Sequence, residues 1–188
     1  MSIKTFLGLT VVGTLGLSCQ SNTYQIDGFA RDFSDGDTIC MRQEGDGNSL
    51  VVMTQVTGGK FVFSGVTDTV AFCHVFPKNR PEATVSFFLE PARITVEIAS
   101  TPERNRVSGT TFNNTWQQLN DSIRLIGQEV VKTSLLPVAD STMQLQRVRM
   151  IDSLHRRMSD CILSTARRNN DNPVGQYINQ HYKAPEFK

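Results

Sequence analysis

The residue types that most often do chemistry are few in this chain and are not grouped. There are three histidines, His74, His155 and His181. His74 follows Cys73 in "AFCHVFP", and on a strand neighbouring side chains point to opposite faces, so the two cannot share a metal. A solvated strand face is the reading for His74. His155 is followed by Arg156 and Arg157, whose charges disfavour both an imidazolium and a bound cation. His181 falls near the end of the last helical stretch. No Gly-x-Ser-x-Gly step occurs, and the serines of "FSGV" and "VSGT" stand beside glycines as turn residues. The two acids of "EGDGN" would repel a phosphate. "DFSDGD" (32–37) offers oxygen ligands around a glycine, as a calcium loop does, but it lacks the distal bidentate Glu and reads as a solvated turn. No catalytic residue, metal site or cofactor is expected.

The four cysteines divide into one and three. Cys40, Cys73 and Cys161 form no Cys-x-x-Cys, which excludes a thioredoxin-type centre or a cysteine zinc cluster within this chain. Cys40 and Cys73 fall on expected strands. They are candidates for a disulfide in an oxidising compartment, the alternative being two separate buried thiols. Cys161 lies on the apolar face of an expected helix. Cys19 is different. Lys4 precedes an apolar run from Phe6 to Leu17, followed by Ser18 and Cys19. A span needs roughly 20 apolar residues, so this run reads as an export signal. A cysteine at its end resembles a bacterial lipoprotein cleavage site, with Gly16 and Leu17 departing from the usual pattern. That resemblance implies Cys19 as the lipid-attachment residue. Two or more acyl chains would then hold the protein to a membrane.

A chain of 188 residues with 39% hydrophobic and 20% charged content is globular in type, and a net charge of +1 gives no argument for nucleic acid. The expected fold class is α+β. An antiparallel β-sandwich-like or curled-sheet domain at 24–109 precedes a helical segment at 110–182, with a signal at 1–18, a tether at 19–23 and a tail at 183–188. Period-two runs such as Val85, Phe87, Leu89 and Ile94, Val96, Ile98 alternate with turn chemistry, and Gly58-Gly59 suits a tight hairpin. About seven short strands are expected. Beyond Gly109 the period changes. Phe112, Trp116, Leu119, Ile123, Ile126 and Val130 place one stripe on a helix capped by Thr110 or Thr111. After a break at Pro137 to Asp140, Leu145, Val148, Ile151, Leu154, Met158, Cys161 and Ile162 make a second stripe. Pro173 opens a short third helix running to about Tyr182.

Four landmarks recur in order: "YQIDGFARDFSDGDTICM" (24–41), "VTGGKFVFSGV" (56–66), "SFFLEPARITVEI" (86–98) and "RVSGTTFNNTWQQLND" (106–121). Together they resemble an uncharacterised lipoprotein family, domain of unknown function 4369, of Gram-negative gut-type anaerobes. Phe88 to Pro91 and Ser108 to Asn113 are the most specific parts. Ala92 stands where the family usually has Gly, which would strain a turn needing positive φ. In that family the domain commonly precedes a thioredoxin-like thiol–disulfide oxidoreductase module. Ala184-Pro185-Glu186-Phe187 resembles the step that opens such a module. The family carries no assigned catalytic residue. The resemblance therefore implies a non-catalytic, membrane-anchored module facing the periplasm or cell surface, binding a protein or small-molecule partner. The alternative it implies is an accessory or truncated relative of a thiol–disulfide oxidoreductase that lacks the catalytic domain.

Overall fold

The computed structural model describes residues 22–45 and 51–183; the apolar run, Cys19, most of the tether and the tail from Ala184 lie outside the described residues. The period-two runs become eight strands: β1 (Thr23–Phe29), β2 (Thr38–Gln43), β3 (Val51–Gln55), β4 (Lys60–Val66), β5 (Ala71–Pro77), β6 (Val85–Leu89), β7 (Arg93–Glu97) and β8 (Arg106–Ser108). They form two four-stranded sheets, ordered β4-β1-β7-β8 and β3-β2-β5-β6. All pairings are antiparallel except β1 with β7, which run parallel with Ile26 opposite Ile94 and Gly28 opposite Val96. Hairpin spacing does not reveal a parallel pair, because its partners are far apart in the chain.

The inward alternates of both sheets make one core. Ile26, Phe61, Phe63, Ile94 and Val96 of the first sheet meet Ile39, Met41, Cys73, Val75 and Phe87 of the second. The tight turn expected at Gly58-Gly59 forms, with both glycines at positive φ and Thr57 and Lys60 exchanging both backbone bonds. Its flanking strands belong to different sheets, however: it carries the chain from β3, at the edge of the second sheet, to β4, at the edge of the first. The acids of "DFSDGD" are consumed in local ties: Asp32 accepts from Ser100 and Arg104, Asp35 from the Gly58 amide, and Asp37 from the Ser34 amide. Among the described residues only glycines have positive φ, so Ala92 sits unstrained in its turn.

Cys40 and Cys73 do not form the disulfide considered for them; both are free, buried thiols. Cys73 points into the core while Cys40, between the inward Ile39 and Met41, points to the other face. They are also offset along the adjacent strands, Cys40 opposite Phe76 and Cys73 opposite Gln43. Bridging needs Cα atoms within about 7 Å and converging Cβ vectors, which opposite faces forbid. Burial pushes the Cys73 thiol up to about 12, so it is inert in the native state. Alkylation of the unreduced protein is expected to spare Cys73 when folded and to label both thiols once urea unfolds the chain. A pair that stays unlabelled in urea would contradict the two free thiols.

Three helices follow: α1 (Thr111–Ser134), α2 (Ser141–Arg168) and α3 (Pro173–His181). Each starts on a side-chain cap: Thr110 accepts from the Asn113 amide, Asp140 from Met143 and Asn172 from Val174. They cover the outer face of the second sheet through a second core of Phe88, Leu119, Ala166, Val174 and Ile178. The packing of α2 is chiefly on α1 and α3.

The junction between sheet and helices rests on the free edge of β6. An edge strand presents unpaired backbone groups at alternate residues, here Thr84, Ser86 and Phe88. Side chains, not another strand, meet their three carbonyls and the Phe88 amide. Asn105 Nδ2 donates to the Thr84 carbonyl and Trp116 Nε1 to the Ser86 carbonyl. Asn113, fully buried, pairs with both backbone groups of Phe88: its Oδ1 accepts from the amide and its Nδ2 donates to the carbonyl, each at 2.8 Å. Asn113→Ala leaves both groups buried and unpaired, which costs about 2–4 kcal/mol. Urea denaturation should show this as a lowered midpoint, against little change for the exposed Gln118→Ala. A near-neutral Asn113→Ala would mean that the edge is held otherwise.

Candidate functional site

The outer face of the second sheet carries two rows of side chains across β2, β5 and β6. Arg42, His74 and Ser86 are cross-strand neighbours in one row, and Phe72 and Phe88 in the next. Glu44 joins the second row, since its amide donates to the Phe72 carbonyl. His74 is thus not on a solvated face: only 20% of its side chain is accessible.

The helices roof this face with aromatic rings. Trp116 of α1 meets Phe72 and Phe88 edge to face, with centroids 5.2 and 5.8 Å away. Tyr177 of α3 stacks on Phe72 at 3.9 Å, and His181 stacks on the other side of Tyr177 at 4.1 Å. Such pairs contribute about 0.5–1.5 kcal/mol each beyond their buried area.

Local sequence explains why Tyr177 is placed so closely. In Asn172-Pro173-Val174-Gly175-x-Tyr177, Asn172 caps α3 and Pro173 occupies a first-turn position where no N–H is needed. Val174 is fully buried. Gly175 lies against the end of α2, where any Cβ would collide with the Asn169 carbonyl. The short helix is therefore pressed onto the second core, and Tyr177 reaches the sheet.

Glu44 is where the two rows and α3 meet. Its Oε2 accepts from the Tyr177 hydroxyl at 2.9 Å and lies 3.7 Å from His74 Nε2. His74 Nδ1 is 2.9 Å from Ser86 Oγ. Ser86, His74 and Glu44 thus form a serine–histidine–acid series, but its geometry differs from a nucleophile relay. Glu44 is beyond hydrogen-bonding distance of the imidazole, and its bonded partner is Tyr177. Burial lowers the His74 pKa, Glu44 opposes this and Arg42 adds to it. Burial also raises the Tyr177 pKa, reinforced by the hydrogen bond and charge of Glu44, so the phenol stays a donor.

Beside this contact is an open groove of about 410 Å³, lined by Gln43, Glu44, Gly45, Val70, Ala71, Phe72, Phe88, Pro173, Gln176, Tyr177, Gln180 and His181. Its described lining residues include one acid and no Lys or Arg. His181 Nδ1 donates to the Tyr177 carbonyl, because a carbonyl only accepts, and in the neutral ring this leaves Nε2 as an acceptor. The groove therefore offers a carboxylate, an imidazole nitrogen and three glutamine amides, each both donor and acceptor, around an aromatic floor.

Of the histidines singled out by sequence, the structure brings two into one aromatic cluster, His74 edge to face with Phe72 and His181 stacked on Tyr177, while His155 is exposed on α2. Among the described residues no group of three His, Cys, Asp or Glu could hold a metal ion. No described helix is long and apolar enough to cross a membrane. Glu44 and Tyr177 escaped the sequence reading, since they lie 133 positions apart. The Asn-Pro-Val-Gly-x-Tyr run was the signal available for Tyr177.

The matched sequence covers the sandwich and the start of α1. Residues 24–116 match the model of a family described as Domain of unknown function (DUF4369). That segment is a domain of this family. The match ends at Trp116, so it includes the whole β6 edge with its Asn113 contact, while most of the helical region lies beyond it. No curated protein matches the chain.

The His74 environment predicts a pH dependence. Its folded pKa is below the ordinary 6.5, so the unfolded chain binds the proton first as pH falls. Stability attributable to this residue is full above 6.5 and declines below it, until the folded imidazole is also protonated. His74→Gln is expected to flatten the acid side of the stability curve below 6.5. An unchanged slope would assign that dependence to other groups.

Proposed function

We propose that this chain is a non-catalytic, lipid-anchored module of the cell envelope that holds a ligand or a partner's side chain in the groove beside Glu44. The anchor is read from the apolar run Phe6 to Leu17 ending at Cys19. The binding role is carried by one observation: a partly exposed carboxylate, hydrogen-bonded by Tyr177 and next to the stacked His181 ring, opens onto a groove with no Lys or Arg among its described lining residues. Charge-assisted bonds to a carboxylate are the strong ones, and the glutamine amides and aromatic rings of the lining surround that carboxylate. The chemistry suits a donor-rich cation, an amine or guanidinium, with an apolar stem lying on the aromatic floor.

Both halves of the proposal can be tested separately. A labelled fatty acid fed to a Gram-negative host is expected to mark the wild-type chain and not Cys19→Ala; label that persists in the variant removes the lipid anchor. Titration with arginine amide and lysine amide, followed by NMR, should shift Glu44, Phe72, Tyr177 and His181 together. Glu44→Gln should abolish those shifts with the fold intact. If neither amide moves these resonances, the groove does not take cations.

A further inference from the structure

One carboxylate serves both His74 and the groove. Glu44 Oε2 is held by the Tyr177 hydroxyl at 2.9 Å and stands 3.7 Å from His74 Nε2. At that distance the imidazole and the carboxylate make no hydrogen bond, and a shift of about 1 Å would bring them to one. The other ring nitrogen, Nδ1, is 2.9 Å from Ser86 Oγ. A hydroxyl both donates and accepts, so Ser86 suits the neutral ring in either tautomer and the imidazolium as well. From either tautomer, protonation leaves Nε2 as a cationic donor beside Glu44.

Glu44 is the single anion near that imidazolium among the described residues. On the β2 side the other charge is Arg42, whose guanidinium lies over the Phe76 ring, away from Phe72 and Glu44. Cys40, farther along the outer face of β2, is a thiol that burial keeps protonated. Next to His74, β6 contributes Ser86 and α1 contributes Trp116, neither of them charged. From α3 come Tyr177, which donates to Glu44, and His181, stacked behind it.

We propose that His74 is a pH-dependent competitor for the Glu44 carboxylate. Neutral, it leaves Glu44 to a cation in the groove; protonated, it takes Glu44 for itself. This regulation rests on the cation-binding reading of the groove given above. Its sign follows from charge. An imidazolium bonded to Glu44 cancels the charge that draws a cation, and it adds to the positive charge of Arg42. Cation affinity is therefore full while His74 is neutral and falls in acid. Burial holds the folded imidazole below the ordinary 6.5 although Glu44 opposes it, so the fall is centred below that pH. A cation bound at Glu44 in turn disfavours the imidazolium. Reciprocity makes the two effects equal in size.

The probe is butylguanidinium, whose charge does not change over the range used. Its affinity for the full chain carrying Cys19→Ala is measured from above pH 7 to one unit below the His74 midpoint, which NMR of the imidazole supplies. Affinity is expected to fall at least about fivefold across that midpoint, and saturating probe to lower the midpoint by about 0.7 pH unit. His74→Gln should lack the fall. His181→Gln should keep it, whatever it does to the affinity itself. In the absence of probe, Glu44→Gln should lower the His74 midpoint by removing the one neighbour that raises it. Absence of binding at every pH removes the groove reading and this regulation with it. Binding that leaves the His74 midpoint unmoved overturns the regulation alone. So does a fall that survives His74→Gln, or one that disappears in His181→Gln.

Discussion

The exposed edge of β6 is the constraint from which the rest of this structure follows. A strand edge left bare is a template for aggregation, and another strand is the usual cover. Here an asparagine provides it. A side-chain amide has the same donor and acceptor pair as a peptide group, so Asn113 can pair with both backbone groups of Phe88 as a neighbouring strand would. Asn113 is in the first turn of α1, and the Thr110 cap that starts that helix also accepts from Asn113 Nδ2. One residue thus ends the sheet and begins the helical layer. An aspartate could accept but not donate, and burial would oppose its charge.

From that joint the geometry propagates outward. Fixing the first turn of α1 sets Trp116 one turn later, where its Nε1 closes the Ser86 carbonyl and its ring meets Phe72 and Phe88. Those rings form the floor on which Tyr177 stacks. Tyr177 in turn brings its hydroxyl to Glu44 and its outer face to His181. The groove is therefore assembled from β2, β5, β6 and α3, with α1 as the spacer, and no single segment contains it. Phe88 and Asn113, 25 positions apart, are thus two halves of one contact.

Much of the fold was legible because it rests on local rules. Inward residues such as Phe87 and Ile94 alternate as a sandwich demands, and Thr110, Asp140 and Asn172 cap their helices as their side chains predict. What stayed hidden depends on pairing over long distances. The parallel contact of β1 with β7 and the crossing of sheets at Gly58-Gly59 leave no periodic trace. His74 read as solvated because strand alternation shows which face a residue occupies but not what later covers that face. Cys40 and Cys73 could be placed on strands from sequence, yet their separation follows from a register that only the folded sheet defines. The helical stripe of α2 was read correctly as apolar. Periodicity predicts that a stripe is apolar without saying how completely the fold covers it.

That last distinction separates the two halves of the helical layer. Where α1 and α2 lie over the sheet, their apolar residues end in the core with Phe88, Leu119 and Ala166, and α3 closes it. Farther along, the same two helices keep the same periodicity with no sheet beneath them. At roughly 1.5 Å per residue, the 24 residues of α1 and 28 of α2 extend about 36 and 42 Å, longer than a strand of seven residues can support. Helices this long cost backbone entropy at every turn, and apolar burial is what offsets that cost. The distal turns bury less apolar surface than the turns over the sheet, with no buried residue from 141 to 158. There the polar contacts of Arg147 at the turn and of Arg157 across the helices hold the hairpin's shape where packing on the sheet no longer does.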